Sequence, residues 1–341
     1  MKLSYAQHLE DYHLSRVFEG RSSGFYIDVG AGHPVADNVS CWFYLQGWSG
    51  IVVEPQGELA NLYARVRPRD LIFCGALGRR EGEAEFHKVD RLHGFSTTVE
   101  RFAAQTADFG ARYSTQRVPM TTLGNLCERH CVKDVDFLKI DVEGAEGDVL
   151  SGNDWTRFRP KIVLCEAVAP GSMTPNWEGW EPILLANGYD FVLDEGLNRF
   201  YVAREQVDIL ARFPREKAEW LVVPHLGHTN RAPFRDDHPD HAFARDLTGA
   251  LLARLPQETE EEWLALLLHG EPDPDAALTF QDRAAILSRI FGPQFPEAQA
   301  ALEPDPAATK REFLRAIAAS DHFRVLLGRL AMSWDGGQIL D

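Results

Sequence analysis

The sequence predicts an α/β fold: a mostly parallel sheet with helices on both faces, an antiparallel edge hairpin, and a small C-terminal all-helical domain. Three observations carry this. Apolar segments of strand length alternate with helical patterns up to about residue 204. The first, Phe25-Tyr-Ile-Asp-Val-Gly-Ala-Gly-His-Pro34, runs into a glycine-bearing turn, and the second, Gly50-Ile-Val-Val-Glu-Pro55, ends in an acid. Beyond residue 240 the apolar residues keep helical spacing alone. Strands that alternate with helices imply a parallel sheet covered on both faces.

Residues 5–19 read as a helix leading into a strand at 25–30. A helix at 37–47, a strand at 50–54 and a helix at 57–66 follow. The third strand is Asp70-Leu-Ile-Phe-Cys-Gly-Ala76, with an extended piece near Ala84-Glu-Phe-His-Lys88. A helix at 121–131 precedes Asp136-Phe-Leu-Lys-Ile-Asp141, an apolar strand with acids at its end. After a helix at 145–151 come the strand Lys161-Ile-Val-Leu-Cys-Glu166 and a helix at 178–187. Segments 189–193 and 199–203 flank a turn holding Gly196 and Asn198, the signature of a hairpin. Residues 205–240 read as a connector, because Pro, His, Arg and Asp accumulate there without periodicity. Helical patterns then recur at 241–254, 258–269, 281–291 and 308–330, with Trp263, Leu264, Leu267 and Leu268 on one apolar face. The expected division is an α/β domain over 1–204, the connector, and a helical accessory domain over 241–335 available to dock a protein partner or a second subunit.

The formal net charge of -16 opposes attraction to phosphates, so neither nucleic acid nor an anionic membrane is an expected partner. No run of about twenty apolar residues offers a membrane span, and the first ten residues lack a signal-peptide core. Five cysteines, with Cys41, Cys74 and Cys165 in predicted core elements, suit a reduced, cytoplasmic chain. Cys127 and Cys131, four apart on a predicted helix, lack the further paired ligands of a metal site. His225, His228, His238 and His241 form two short pairs in the connector; zinc is one reading and solvated histidines the other.

The chemistry concentrates at strand ends. At Asp28-Val-Gly30-Ala31-Gly32 the glycines let backbone pass close to a ligand, with Asp28 ordering the turn; an ordinary strand-to-helix turn is the alternative. Glu54 stands where a carboxylate accepts two hydrogen bonds from a ribose diol, although a surface acid before Pro55 looks the same in sequence. The loop has no third glycine, since His33, Pro34 and Val35 fill that stretch. This argues against NAD and for S-adenosylmethionine, which has no pyrophosphate to seat on a helix N-terminus. Asp141 and Glu143 end their strand and should face the reaction centre, whereas Glu146 suits the first turn of a helix. Glu166 closes the neighbouring strand. With Asp141 it either holds a hard divalent cation such as magnesium, or the two act separately as base and positioning group. His33 is a general base or a packing residue.

Together the stretches Phe25 to Pro34, Phe43 to Pro55, Phe137-Leu-Lys-Ile-Asp-Val-Glu-Gly-Ala-Glu146 and Leu197-Asn-Arg-Phe-Tyr201 resemble the FkbM family of S-adenosylmethionine-dependent methyltransferases. The resemblance runs from about residue 4 to 204 and implies a class I methyltransferase, Rossmann-like sheet. It further implies O-methylation, commonly of a sugar hydroxyl in glycan, glycolipid or antibiotic assembly, so the expected partner is a small-molecule or glycan acceptor. By that resemblance Asp28, Gly30, Ala31, Gly32, Asn38, Glu54, Pro55, Ala76 and Asp141 line the cofactor, and Asp141 with Glu143 borders the acceptor. Asn38 stands where such relatives often carry Ser.

The mechanism expected is in-line displacement at the sulfonium methyl carbon, with Asp141, Glu143 or His33 taking the acceptor proton. A cation at Asp141 and Glu166 would instead acidify the hydroxyl directly. An S-adenosylmethionine sensor without turnover is the rival from another class, and the acids at the strand ends weigh against it. A protein or small amine acceptor stays open, because loops such as 91–117 and 168–178 carry no readable code.

Overall fold

The computed structural model describes residues 1, 3–90, 93–226, 240–244, 254–269, 271–292, 302 and 308–335. In chain order its strands are β1 (Phe25–Val29), β2 (Ser49–Val53), β3 (Leu71–Phe73), β4 (Ala76–Leu77), β5 (Gly82–Val89), β6 (Tyr113–Thr121), β7 (Phe137–Ile140), β8 (Ile162–Glu166), β9 (Tyr189–Asp194) and β10 (Asn198–Ala203). The helices of this part are α1 (Glu10–Val17), α2 (Cys41–Leu45), α3 (Gly57–Val66), α4 (Glu100–Gln105), α5 (Leu123–Arg129), α6 (Glu146–Ser151), α7 (Glu181–Ala186) and α8 (Val207–Arg212).

A seven-stranded sheet runs in the order β3-β2-β1-β7-β8-β10-β9. The pairs from β3 to β8 are parallel, and the β9–β10 hairpin joins β8 antiparallel, as the sequence predicts. Alternate residues of the central strands point to opposite faces. Ile27, Val29, Leu138 and Ile140 meet α5, α6 and α7 on one side. Tyr26, Phe137 and Leu164 meet α1 and α2 on the other. Reversal of the strand order between β1 and β7 opens a crevice at the strand carboxyl ends.

Four expectations change. The helix predicted at 5–19 begins at Glu10, because Leu9 is left-handed (φ 68°) and residues 4–6 wrap the Asp11 carboxylate. The helix at 37–47 shrinks to α2, since Asp37 has φ 50° and the side chains of Asn38 and Ser40 are spent on a buried hydrogen-bond network. Within 91–117 lie α4 and the start of β6, which with β5 and β4 makes a second, three-stranded sheet. The pattern at 308–330 is two helices, Lys310–Ala318 and Asp321–Asp335, broken where the Ser320 hydroxyl accepts the Phe323 N–H.

Cys74 is exposed rather than core, and Cys131 lies past the end of α5 at φ 52°, exposed, while Cys127 is buried, so the two share no face. His225 bonds the Ala6 carbonyl; His228 and His238 fall outside the described residues, as does most of the helix expected at 241–254. Among the described residues no helix is long and apolar enough to cross a membrane.

The C-terminal helices do not build their core alone. Leu264, Leu287, Leu314 and Leu326 belong to one buried cluster with Val35, Tyr44, Leu62 and Val66 of the α/β part. A fully buried ion pair, Arg329 to Asp240 at 2.9 and 3.0 Å, reinforces this contact, and Arg329 also donates to the Tyr5 hydroxyl. A Cβ on Gly328 would stand 2.9 Å from Val35 Cγ2 and 3.5 Å from Val66 Cγ1. Gly328→Val is therefore expected to wedge this interface and cost about 1–3 kcal/mol. Thermal unfolding should show the transition of the whole chain lowered; an unmoved α/β transition would mean that the two parts melt independently.

Candidate active site

One cavity of about 580 Å³ opens over the carboxyl ends of β1, β2, β7 and β8. Its floor is the turn after β1. Gly30 takes φ 70°, and a Cβ there would come within 1.6 Å of the Asp141 carbonyl oxygen, so both its conformation and its contact demand glycine. Gly30 and Ala31 donate their N–H groups to the Val53 carbonyl, which ties this turn to the end of β2. At that end, Glu54 accepts the Gly32 N–H at 2.9 Å and the Gln56 N–H at 2.8 Å. Burial pushes its carboxyl up to about 7 against these two bonds. Gly30, Ala31, Gly32, Glu54, Pro55, Ala76 and Asp141 all line the cavity. The second sheet supplies part of the wall through Leu77 and Phe86, and the segment between β5 and β6 adds Ser96 and Thr97.

Two residues expected to touch a cofactor stand behind the wall. Asp28 is fully buried, and its Oδ2 accepts the Ser40 hydroxyl at 2.6 Å. Asn38, 1% exposed, donates to the Ala31 carbonyl and the Tyr63 hydroxyl and accepts from Arg67. Neither lines the cavity; both hold the glycine turn from beneath. Arg67 unites them. Its guanidinium, wholly buried, reaches Asp70, Tyr26, Ser40, Asn38 and the Pro34 carbonyl. Nothing in the sequence singled out Arg67, because a lone arginine at the end of an amphipathic helix reads as solvated.

Part of the cavity wall is acidic. Asp141 and Glu143 follow β7 and Glu166 ends β8, and each brings a carboxylate oxygen within 4.8 Å of the others. Glu143 is left-handed at φ 55°, which turns it back over the strand end, and Thr97 donates to its carbonyl at 2.9 Å. Burial holds the Glu143 and Glu166 carboxyls well above the usual carboxylate range, and the Asp141 charge beside them adds to this. Glu146 is pushed by burial to about 7; its Oε1 accepts the Val142 and Gly144 N–H groups, so it fixes the turn between β7 and α6. Lys139, which sequence reasoning missed because it sits inside an apolar strand, is buried beside them. Its ammonium donates to the Gly30 carbonyl at 2.9 Å and lies 3.3 Å from Asp141 and 3.7 Å from Asp28.

His33 lines the cavity, yet its Nδ1 accepts the N–H groups of Val35 and Ala36 at 3.1 and 3.0 Å. A neutral ring bonded this way carries its hydrogen on Nε2, so the nitrogen with a lone pair is already spent in the turn. We assign His33 to turn formation rather than to proton abstraction.

A parallel sheet with an antiparallel edge hairpin, and a glycine turn and two acids at the carboxyl ends of its strands, define a Rossmann-like methyltransferase fold. Residues 28–191 match the family model described as Methyltransferase FkbM domain, and this α/β part of the chain belongs to the FkbM methyltransferase family. Comparison of the chain with curated proteins and with solved structures gives no match.

Removal of the Arg67 guanidinium strands the buried Asp70 carboxylate. Arg67→Met is expected to cost about 3–5 kcal/mol, the range for breaking one partner of a buried pair. Denaturant unfolding measures it, and a loss below about 1 kcal/mol would show that the network is dispensable.

Proposed function

We propose that this methyltransferase uses S-adenosylmethionine and methylates a hydroxyl oxygen, most simply that of a sugar. One observation carries the reading: a single cavity is lined both by a glycine turn with a buried carboxylate and by a carboxylate cluster. Glu54 retains unspent acceptor capacity for a ribose diol, because each carboxylate oxygen has a second lone pair beyond its backbone bond. Close approach of the Gly30–Gly32 backbone leaves room for the methionine moiety. In the same cavity Ser96 and Thr98 offer hydroxyls and Phe95 and Met173 offer apolar surface, the mixture a sugar ring presents in return.

In the step itself an acceptor oxygen attacks the methyl carbon in line with sulfur. The new O–CH₃ bond forms as the S–CH₃ bond breaks, the sulfonium takes up the electron pair to become a thioether, and the hydroxyl proton passes to a carboxylate of the cluster. Asp141 or Glu143 is the acceptor of that proton in this reading. Lys139 holds Asp141 in place from behind. Near-attack positioning supplies several kcal/mol of the rate. Five free cysteines fit a reducing, cytoplasmic setting.

Calorimetric titration with S-adenosylmethionine tests the cofactor. Glu54→Ala should weaken binding roughly tenfold to a hundredfold, since hydrogen bonds to a charged group contribute about 1.5–3 kcal/mol; an unchanged affinity would refute the assignment. A pH dependence follows as well. The folded carboxyl is pushed from 4.5 up to about 7, so the folded chain binds more protons than the unfolded one in that window. Through Glu54, stability therefore falls as pH rises from 4.5 to about 7 and is flat above it. Cofactor affinity runs the other way, because the ionised carboxylate is the better acceptor for two hydroxyls. Affinity should drop below pH 7 by up to about tenfold per unit, and Glu54→Gln should flatten the profile. Asp141→Asn should abolish turnover on a sugar acceptor while leaving the circular dichroism spectrum unchanged; full activity in that variant would move the base elsewhere.

A further inference from the structure

The carboxylate cluster contains more uncompensated acceptor capacity than a single proton transfer uses. Glu166 is 7% exposed and its Oε2 is buried without a hydrogen-bond partner. Glu143 Oε2 is in the same condition. Both residues line the cavity, and their carboxylate oxygens lie with that of Asp141 inside a 4.8 Å sphere of mutual distance. Among the described residues no ion pair reaches Glu143 or Glu166. Lys139 is already committed: it binds the Gly30 carbonyl and divides its charge between Asp28 and Asp141. The other nearby acid, Glu146, is satisfied by two backbone N–H groups and needs no cation.

We infer that Asp141, Glu143 and Glu166 form a binding site for one divalent cation of the oxygen-seeking class, magnesium, manganese or calcium. The donor set is carboxylate only, with neither imidazole nor thiolate, which selects hard cations over zinc or copper. The spacing suits them. Ligands on opposite sides of magnesium stand about 4.2 Å apart, and of calcium about 4.8 Å, from bond lengths of roughly 2.1 and 2.4 Å. Neighbouring ligands stand closer. Backbone geometry also presents the three together: β7 and β8 are parallel neighbours, so their carboxyl ends coincide, and the left-handed turn at Glu143 brings a third acid back to them. Three ligands leave several of the six or more positions of such a cation to water or to oxygens entering from the cavity. The cation thereby selects an acceptor that offers a hydroxyl together with a second oxygen close by, as a vicinal diol does. This last point rests on the methyl-transfer reading; the cation site itself does not.

Manganese serves as the probe, because the electron paramagnetic resonance signal of the free aqueous ion is lost on binding. The full chain should bind one manganese ion per chain, and magnesium in excess should displace it. Glu166→Gln and Glu143→Gln should each weaken manganese binding at least tenfold, while S-adenosylmethionine affinity, measured on the same samples, stays within twofold and reports that each variant is folded. Because Glu143 is only half-buried, its variant serves if Glu166→Gln does not fold. Absence of stoichiometric manganese binding overturns the inference and leaves the carboxyls sharing a proton. Binding that neither variant weakens overturns it equally, since the ion then sits elsewhere. Manganese binding without S-adenosylmethionine binding would sink the methyl-transfer reading and leave the cation site standing; cofactor binding without manganese would do the reverse. Given a turnover assay, a vicinal diol should be methylated at least tenfold faster than its mono-deoxy counterpart, and equal rates would overturn the diol selection.

Discussion

A buried arginine is the constraint on which this molecule depends. Arg67 has no solvent contact, and a guanidinium in that position is tolerated only if nearly every donor finds an acceptor. The acceptors come from β1 (Tyr26), the turn after it (the Pro34 carbonyl, Asn38 and Ser40) and the loop before β3 (Asp70). Satisfying Arg67 therefore fixes, at once, where the segment between β1 and α2 lies against α3. Around it stand the rings of Tyr26, Tyr44 and Tyr63, each within 6 Å of the guanidinium, which shield the charge while attracting it.

From that anchor a line of polar contacts leads to the reaction side. Arg67 bonds Ser40, Ser40 bonds Asp28, Asp28 lies against Lys139, and Lys139 reaches both the Gly30 carbonyl and Asp141. Arg67, Ser40, Asp28 and Lys139 are buried, and the line meets the cavity at Lys139, Gly30 and Asp141. The arrangement explains why Asp28 and Asn38 matter to a ligand they do not touch. They determine the height of the glycine turn, and the turn determines where Gly32 and Glu54 meet.

How much of this was legible beforehand depends on the length scale of the signal. Strands β1, β2, β7 and β8, the edge hairpin and the acids at the strand ends announce themselves locally, by apolar runs closed by glycine or carboxylate. The glycine turn with Glu54 and the pair Asp141 and Glu166 were readable for that reason. Strand β6 was not: Tyr-Ser-Thr-Gln-Arg-Val-Pro-Met-Thr is polar along most of its exposed length and carries Pro119, so no apolar alternation marks it. Arg67 and Lys139 were invisible for a different reason. A charged residue looks solvated until its partners, forty residues or a hundred away, are known to converge on it. His33 shows the converse error, since a histidine near a glycine turn suggests catalysis while its Nδ1 is occupied by the two backbone donors of that same turn.

The distribution of satisfied and unsatisfied acids finally separates structure from chemistry. Asp28, Glu54, Asp70 and Glu146 are buried, and each accepts hydrogen bonds from backbone or side-chain donors of the fold. Their burial is offset by those bonds and, at Asp28, by the Lys139 ammonium 3.7 Å away; of the four only Glu54 lines the cavity, with acceptor capacity left for a ligand. Glu143 and Glu166 are different. Each keeps a buried oxygen without a donor, and desolvation of such a group is costly unless something is supplied from outside. A fold that gives four acids donors of its own, and leaves two cavity-lining acids each with a buried oxygen that meets neither a hydrogen bond nor an ion pair among the described residues, has placed unspent binding capacity where the acceptor must enter. That imbalance, rather than the count of acids, distinguishes the reactive part of the cavity from the scaffold beneath it.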